Sequence, residues 1–354
     1  MIREALDDAG LTIGDVDGVC YAGMATGLAE YLGVHPRFID GTMVGGSSYQ
    51  LHVEHAAAAI TAGLCDVVVS VYASTPRSDR KRGQPQQFGP QPGPNPMFEW
   101  EMPYGLRLPM GAYALAASAH MARFGTTSEQ LAQIAVSTRQ WAGLNPWARY
   151  RDPITIDDVL ASPMVSSPLH LLDCCLVTDA GGAVVLTSAE RARDLPNKPI
   201  HVLGTGEAAT HVLVSQMPNF AFWDAAKLAS DHAFAMAGVA HADIDLAMFY
   251  DAFTIVPVMG LEATGFCKPG EGGAFVSGGR TAPGGPFPMN TNGGGLSYTH
   301  SGMYGMFMLV EAVRQLRGEG DARQVAGAKT AICHGLGGMF SASATLICGT
   351  EIPD

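Results

Sequence analysis

The chain has 354 residues, of which 47% are hydrophobic and only 15% charged, enough for two core-bearing units and incompatible with a disordered chain. A net charge of −12 at pH 7 excludes wholesale attraction to nucleic acid or to an anionic membrane. No run approaches the roughly 18 apolar residues of a membrane-spanning helix, and MIREALDDAG lacks the basic-then-apolar order of a secretion signal, so a cytoplasmic protein without a membrane span is expected.

From the N-terminus, AGLTIGDVDG (9–18) predicts a helix ending at glycine, a short loop, and an aspartate entering the strand GVCYAG. The same order returns as AGVAHADIDL (237–246) before LAMFYDAF, with Ala, Gly and both aspartates in register. A glycine-rich turn, a helix and an apolar strand follow in each case. They are GGSSYQLHVEHAAAAI with DVVVSVY, and NGGGLSYTHSGMYGMFMLVEAVRQL with KTAICHG. Helices alternating with short apolar strands predict an α/β protein of two similar halves with mostly buried sheets.

Residues 77–105, rich in Pro, Gln and Gly and without periodicity, predict a long surface excursion. TTSEQLAQIAVSTRQWA then predicts a helix capped around Thr127-Ser128-Glu129, NPWARYRDPITIDDVLAS gives turns and a short helix, and PLHLLDCCLVTDAGGAVVLTS (168–188) returns to core strands. The expected division is a first half over 1–195, carrying an inserted loop domain over about 77–165, and a second half over 196–354.

The turn GGSSYQ admits two readings. A serine nucleophile needs an adjacent general base; otherwise the serines cap the helix and its first N–H groups face a substrate oxygen. The seven cysteines (20, 65, 174, 175, 267, 333 and 348) contain no CxxC pair, so neither a disulfide framework nor a zinc site is indicated. His52 and His55 have no evident third ligand; contacts in the core or at an interface are expected of them, and no metal.

Four short stretches, in order and with matching flanks, carry a family resemblance: GGSSYQ before the helix ending in Ala62-Gly63, YDAF (250–253), THS (299–301) and CHG (333–335). They resemble the four active-site loops of the thiolase superfamily, specifically the sterol-carrier-protein-type thiolases and their lipid-transfer-protein-like relatives. The resemblance spans essentially the whole chain, and LEATGFCKPGEGGAFV and NTNGGG are similar to the same branch. It implies a thiolase fold, with two βαβαβαββ halves packed in layers and a loop domain inserted in the first. Family members begin with a further strand before the equivalent of MIREALDDAG, so the first half is expected to lack its N-terminal strand.

Counting back from Ala62-Gly63 places Gly46 where the family carries its nucleophilic cysteine, and His300 is retained while Ser301 replaces a proline. One subset, the steroid side-chain-cleaving aldolases, has lost that cysteine and works with tyrosines, and YDAF and GGGLSYTHSGMYG resemble it. The resemblance implies retro-aldol cleavage of a β-hydroxyacyl-CoA. Tyr250 and Tyr298 would serve as base and proton donor, and His300 as oxyanion donor with N–H groups around Gly337 and Gly338. Asp251 would orient its loop or react directly.

Cys333 matches the acid–base cysteine of the last loop, which opens an alternative reading as an acetyl-CoA acyltransferase with a non-standard site. A non-catalytic lipid or acyl-CoA carrier is the third. The family places the nucleotide of coenzyme A on the inserted loop, so Arg77, Arg80 and Lys81 are expected there, with Ser47 and Ser48 near the thioester. The CoA thioester is a substrate, and no permanent cofactor is expected. FEWEMPYG (98–105) is expected to wall an acyl or steroid pocket or to pack the core. The partners implied are a second copy of the chain and a zinc-ribbon and OB-fold accessory protein.

Overall fold

A computed structural model describes residues 1–84 and 96–353, so the middle of the predicted excursion lies outside the described residues. The first part of the chain runs α1 (Ile2–Ala9), β1 (Gly18–Tyr21), α2 (Ala25–Leu32), β2 (Phe38–Asp40), α3 (Ser48–Thr61) and β3 (Val67–Ser74). The insertion follows as α4 (Pro76–Lys81), α5 (Pro96–Trp100), α6 (Met110–Phe124), α7 (Ser128–Leu144), α8 (Ile156–Ala161) and the small pair β4 (Met164–Ser166) and β5 (Leu169–His170). β6 (Ala180–Thr187) and α9 (Ala189–Ala192) return to the body. Beyond them come β7 (His201–Ala209), α10 (Asp224–Ala237), β8 (Leu246–Phe249), α11 (Ile255–Ala263), α12 (Gly272–Val276), α13 (Gly305–Arg317), β9 (Thr330–Gly337) and β10 (Ala342–Gly349).

Two mixed sheets result, in the orders β2-β1-β3-β6 and β7-β10-β9-β8. In each, a parallel pair (β1 with β3, β8 with β9) is followed by an antiparallel strand (β6 or β10). The sequence echo has a physical cause. Gly10 and Gly238 end their helices in the left-handed conformation, with φ 69° and 65°. Asp15 and Asp243 each accept the N–H of the residue three before, at 2.9 and 2.8 Å. Asp17 then accepts the N–H groups of Asp66 and Val67 at the mouth of β3, as Asp245 accepts those of Lys329 and Thr330 at the mouth of β9. These aspartates set the register between strands that are distant in sequence.

The two halves differ at one edge. β10 pairs with β9 on one side and β7 on the other, whereas β6 pairs only with β3 among the described residues. Along its outer side runs a groove of about 760 Å³, bordered by α1 and α13.

α3 and α13 lie between the sheets, touching strands of both. The alanines of α3 permit this close approach, and Tyr49, Leu51, Val53, Ala56 and Ala59 are all buried. The two helices meet at their N-termini: a Cβ on Gly305 would run into the Gly46 carbonyl, and Gln50 donates from Nε2 to the Gly305 carbonyl at 3.1 Å. The predicted histidine contacts are local. His52 pairs with Ser70 Oγ and the Thr42 carbonyl, and His55 stands between Asp40 and Glu207. Among the described residues no helix is long and apolar enough to cross a membrane.

Candidate active site

Tyr250 follows the last residue of β8 and is fixed there by donating its N–H to the His334 carbonyl at 3.0 Å. Its ring covers Gly46. A Cβ built on Gly46 would lie 2.5 Å from Tyr250 Oη and nearer still to Cε2 and Cζ. The phenol therefore fills the space into which a side chain at the head of α3 would project.

Tyr250 Oη accepts the N–H of Tyr304 at 2.9 Å and lies 3.0 Å from His300 Nε2. Burial pushes the Tyr250 phenol well above its usual value near 10, only partly opposed by the Tyr304 N–H. Burial also pulls His300 down to about 4, so the imidazole is neutral at pH 7. In the tautomer with its proton on Nδ1, the neutral ring accepts from the Tyr250 hydroxyl through Nε2. The result is a neutral phenol–imidazole pair suited to relaying a proton.

The chain around His300 is held from below. Gly294–Tyr298 forms a π-helical turn, and Asp251 accepts the N–H of Gly295 at 2.6 Å and of Leu296 at 3.3 Å. Burial raises Asp251 to about 7 against these bonds. Thr178 Oγ1 accepts the His300 N–H at 2.9 Å, and Tyr304 donates its hydroxyl to Asn292 Oδ1 at 2.6 Å. Asp251 thus ties the end of β8 to the Gly294–Tyr298 turn.

The other two loops close around Gly46. Gly45, at φ +96°, has the Gly338 nitrogen 2.7 Å from where its Cβ would stand, a position only glycine fills without strain. Ser48 accepts the Val44 N–H and donates to the Gly45 carbonyl, which braces the turn. Ser47 makes no cap bond; its buried Oγ has no partner among the described residues and faces Gly337. The predicted side-chain capping is thus replaced by a turn brace, because Ser47 at the cap position has helical rather than extended dihedrals (φ −80°, ψ −5°) and Ser48 Oγ turns back to Val44 and Gly45. Tyr113 of α6 donates its hydroxyl to the Gly338 carbonyl at 2.9 Å and stacks on Phe253 at 4.5 Å.

Not every expected residue joins this cluster. Tyr298, two residues before His300, turns into the groove along β6 and packs edge-on to Phe307, and burial raises its phenol. Cys333 lies deeper on β9, with Sγ against the Met308 carbonyl and Cys348; both that contact and burial hold the thiol well above its usual value. Arg77, Arg80 and Lys81 sit on α4, where the N–H groups of Arg77 and Ser78 meet Asp179. Tyr304, which contributes a backbone N–H, gives no side-chain signal; its one sequence trace is the glycine on either side in GMYG at 302–305.

A separate cavity of about 670 Å³ opens under the insertion, lined by Trp100, Glu101, Tyr104, Met110, Ala114 and Val214 among others. Trp100, Glu101, Tyr104 and Gly105 thus wall a pocket, while the side chain of Phe98 lies outside the described residues. Met110 and Ala114 face the cavity and Tyr113 reaches Gly338, so α6 joins the cavity to the last loop.

Residues 206–350 match the thiolase C-terminal domain-like family. The chain is 35% identical to the 17-hydroxy-3-oxo-4-pregnene-20-carboxyl-CoA lyase of Mycobacterium tuberculosis, over 90% of this chain and 85% of that protein. It is 31% identical to an acetyl-CoA acetyltransferase of Methanothermobacter thermautotrophicus, over 97% and 91%. A solved structure of the Ltp2-ChsH2(DUF35) aldolase superposes with a TM-score of 0.89 at 32% identity, covering 98% of this chain and 90% of that one. The chain belongs to the thiolase superfamily, in its sterol-carrier-protein-type branch, and is an enzyme of the CoA-thioester aldolase kind.

Proposed function

We propose that the protein cleaves the Cα–Cβ bond of a β-hydroxyacyl-CoA carrying a bulky, steroid-like group, by a retro-aldol reaction without a covalent intermediate. The observation that carries this reading is the Tyr250 ring over Gly46, hydrogen-bonded to a neutral His300. The substrate β-hydroxyl gives its proton to Tyr250 Oη as the phenolic proton passes to His300 Nε2. The new carbonyl leaves with Cβ, and the bond electrons remain on the thioester as an enolate. Ser47 Oγ, which faces Gly337, and the Gly338 N–H, beside Gly45, supply donors for that oxygen. Return of the proton from His300 through Tyr250 to Cα completes the cycle.

A Cys333-centred acyl transfer has less support, because that thiol is buried against Cys348 away from Gly46. Two partners fit the reading. The superposed structure is an Ltp2-ChsH2(DUF35) aldolase, and that second component supports an accessory protein of the zinc-ribbon and OB-fold kind. β2 is an edge strand with Ile39 exposed, and Met24 and Met43 are exposed in the segments flanking it, which supports a homodimer through that edge.

The test is product analysis on β-hydroxyacyl-CoA and β-ketoacyl-CoA substrates, with and without free CoA and a DUF35 partner. The expected outcome is carbonyl release without consumption of CoA. Tyr250→Phe should lower turnover by about 10²–10⁴-fold while acyl-CoA binding survives. Cleavage that requires free CoA would sink the proposal.

A further inference from the structure

We infer that Phe340 is a positioning residue: its ring anchors the tip of the last loop and so sets where the Gly338 N–H stands relative to the Tyr250–His300 pair. The inference rests on the lyase reading for the charge that this N–H meets, an enolate oxygen.

Residues 338–341 form the hairpin turn between β9 and β10. Two of them are left-handed, Gly338 at φ +56° and Phe340 at φ +61°. Glycine reaches that conformation freely, whereas a bulky side chain is strained in it. Such strain persists only where the surrounding contacts over-determine the backbone. Phe340 has those contacts. It is only 1% exposed, and its ring packs edge-on to both Tyr113 and Trp223, with 5.2 Å between centroids in each case.

A series of rings thereby joins two loops of the site. Phe253, three residues after Tyr250, stacks on Tyr113, and Tyr113 meets Phe340, which meets Trp223 ahead of α10. Tyr113 also holds Gly338 directly through the bond to its carbonyl. The rest of the turn is tied as well. The Met339 carbonyl lies 3.3 Å from His211 Nε2, and the Ser341 carbonyl accepts the Thr210 N–H at 2.8 Å. Gly338 itself is exposed, so the loop presents a backbone group at its surface while the ring two residues on is fixed in the core. A glycine at 340 would form the same turn without strain, but nothing at that position would then couple it to the loop of Tyr250. Displacement of a reacting or polarising group by about 1 Å costs about a hundredfold in rate, so this coupling bears on turnover.

The test is infrared difference spectroscopy of bound acetyl-CoA, isotopically labelled at the thioester carbonyl, in the wild type, Phe340→Leu and Phe340→Gly, beside steady-state kinetics on a β-hydroxyacyl-CoA. Binding to the wild type should lower the carbonyl stretching frequency, because a donor aimed at the oxygen polarises the bond. Both variants should lose most of that shift, and kcat should fall about tenfold or more with KM within about threefold. Phe340→Leu keeps most of the apolar volume and gives the reading if Phe340→Gly does not fold. A ring that only fills the core would lower the unfolding midpoint and leave the carbonyl band of the folded protein in place. No shift in the wild type, or a wild-type shift in Phe340→Leu, would overturn the inference. Turnover separates it from the lyase reading. If the shift and kcat survive in Phe340→Leu while Tyr250→Phe still abolishes cleavage, only the role of Phe340 falls. If the shift depends on Phe340 and the wild type cleaves no β-hydroxyacyl-CoA, only the lyase reading falls.

Discussion

Gly46→Ala adds one methyl group where the Tyr250 ring already lies. The new carbon would stand 2.5 Å from Oη and closer to two ring carbons, against an ordinary carbon–carbon separation of about 3.5–4 Å. The ring must therefore move by about an ångström or more, and Oη then leaves both the Tyr304 N–H at 2.9 Å and His300 Nε2 at 3.0 Å. Overpacking costs about 1–3 kcal/mol, and an orphaned buried donor about as much again, so a loss of about 2–5 kcal/mol in unfolding free energy is expected. Turnover should fall about 10²-fold or more, because the relay is broken without removing either of its groups. Urea denaturation and a carbonyl-release assay read the two effects. In Gly46→Ala/Tyr250→Ala the clash is gone, so the double variant should be less destabilised than the sum of the single variants. Wild-type stability and turnover in Gly46→Ala would show that the ring does not occupy this space.

Tyr298→Phe should change turnover by no more than a few-fold, since its phenol lies in the groove along β6; a loss as large as that of Tyr250→Phe would return it to the catalytic group. Cys333→Ser should lower turnover only modestly, because no acyl group passes through the protein; complete inactivation of a folded variant would favour acyl transfer. The pH profile should follow His300, whose folded value is about 4. Its Nε2 accepts only while neutral, so kcat should lose activity on the acid side near pH 4. An acid limb near pH 6.5, the value of a solvated imidazole, would contradict a buried neutral His300.

The parts of the site that were legible in the sequence are those where a loop motif coincides with a strand or helix end. Tyr250 in YDAF and Gly46, placed by its distance from Ala62-Gly63, come together as rings and turns at the ends of β8 and α3. Tyr298 failed this logic because the Gly294–Tyr298 turn is π-helical, so spacing from His300 does not predict a shared face. Cys333 shares its face of β9 with Gly335 and Gly337, but two residues further along a strand is about 7 Å. That shift carries it from Ser47 to Met308.

The unequal edges of the two sheets bear on how the protein behaves in concentrated solution. β6 reads AGGAVVLT, with no charge and no proline to discourage a neighbour, and one side of its backbone has no ladder among the described residues. An uncharged, half-covered strand of eight residues is a template for edge-to-edge association, whether the incoming strand is productive or not. This edge lies apart from the Tyr250–His300 pair, so association through it is separable from the chemistry. A single lysine on the outer side of β6 would prolong storage without touching the proton relay.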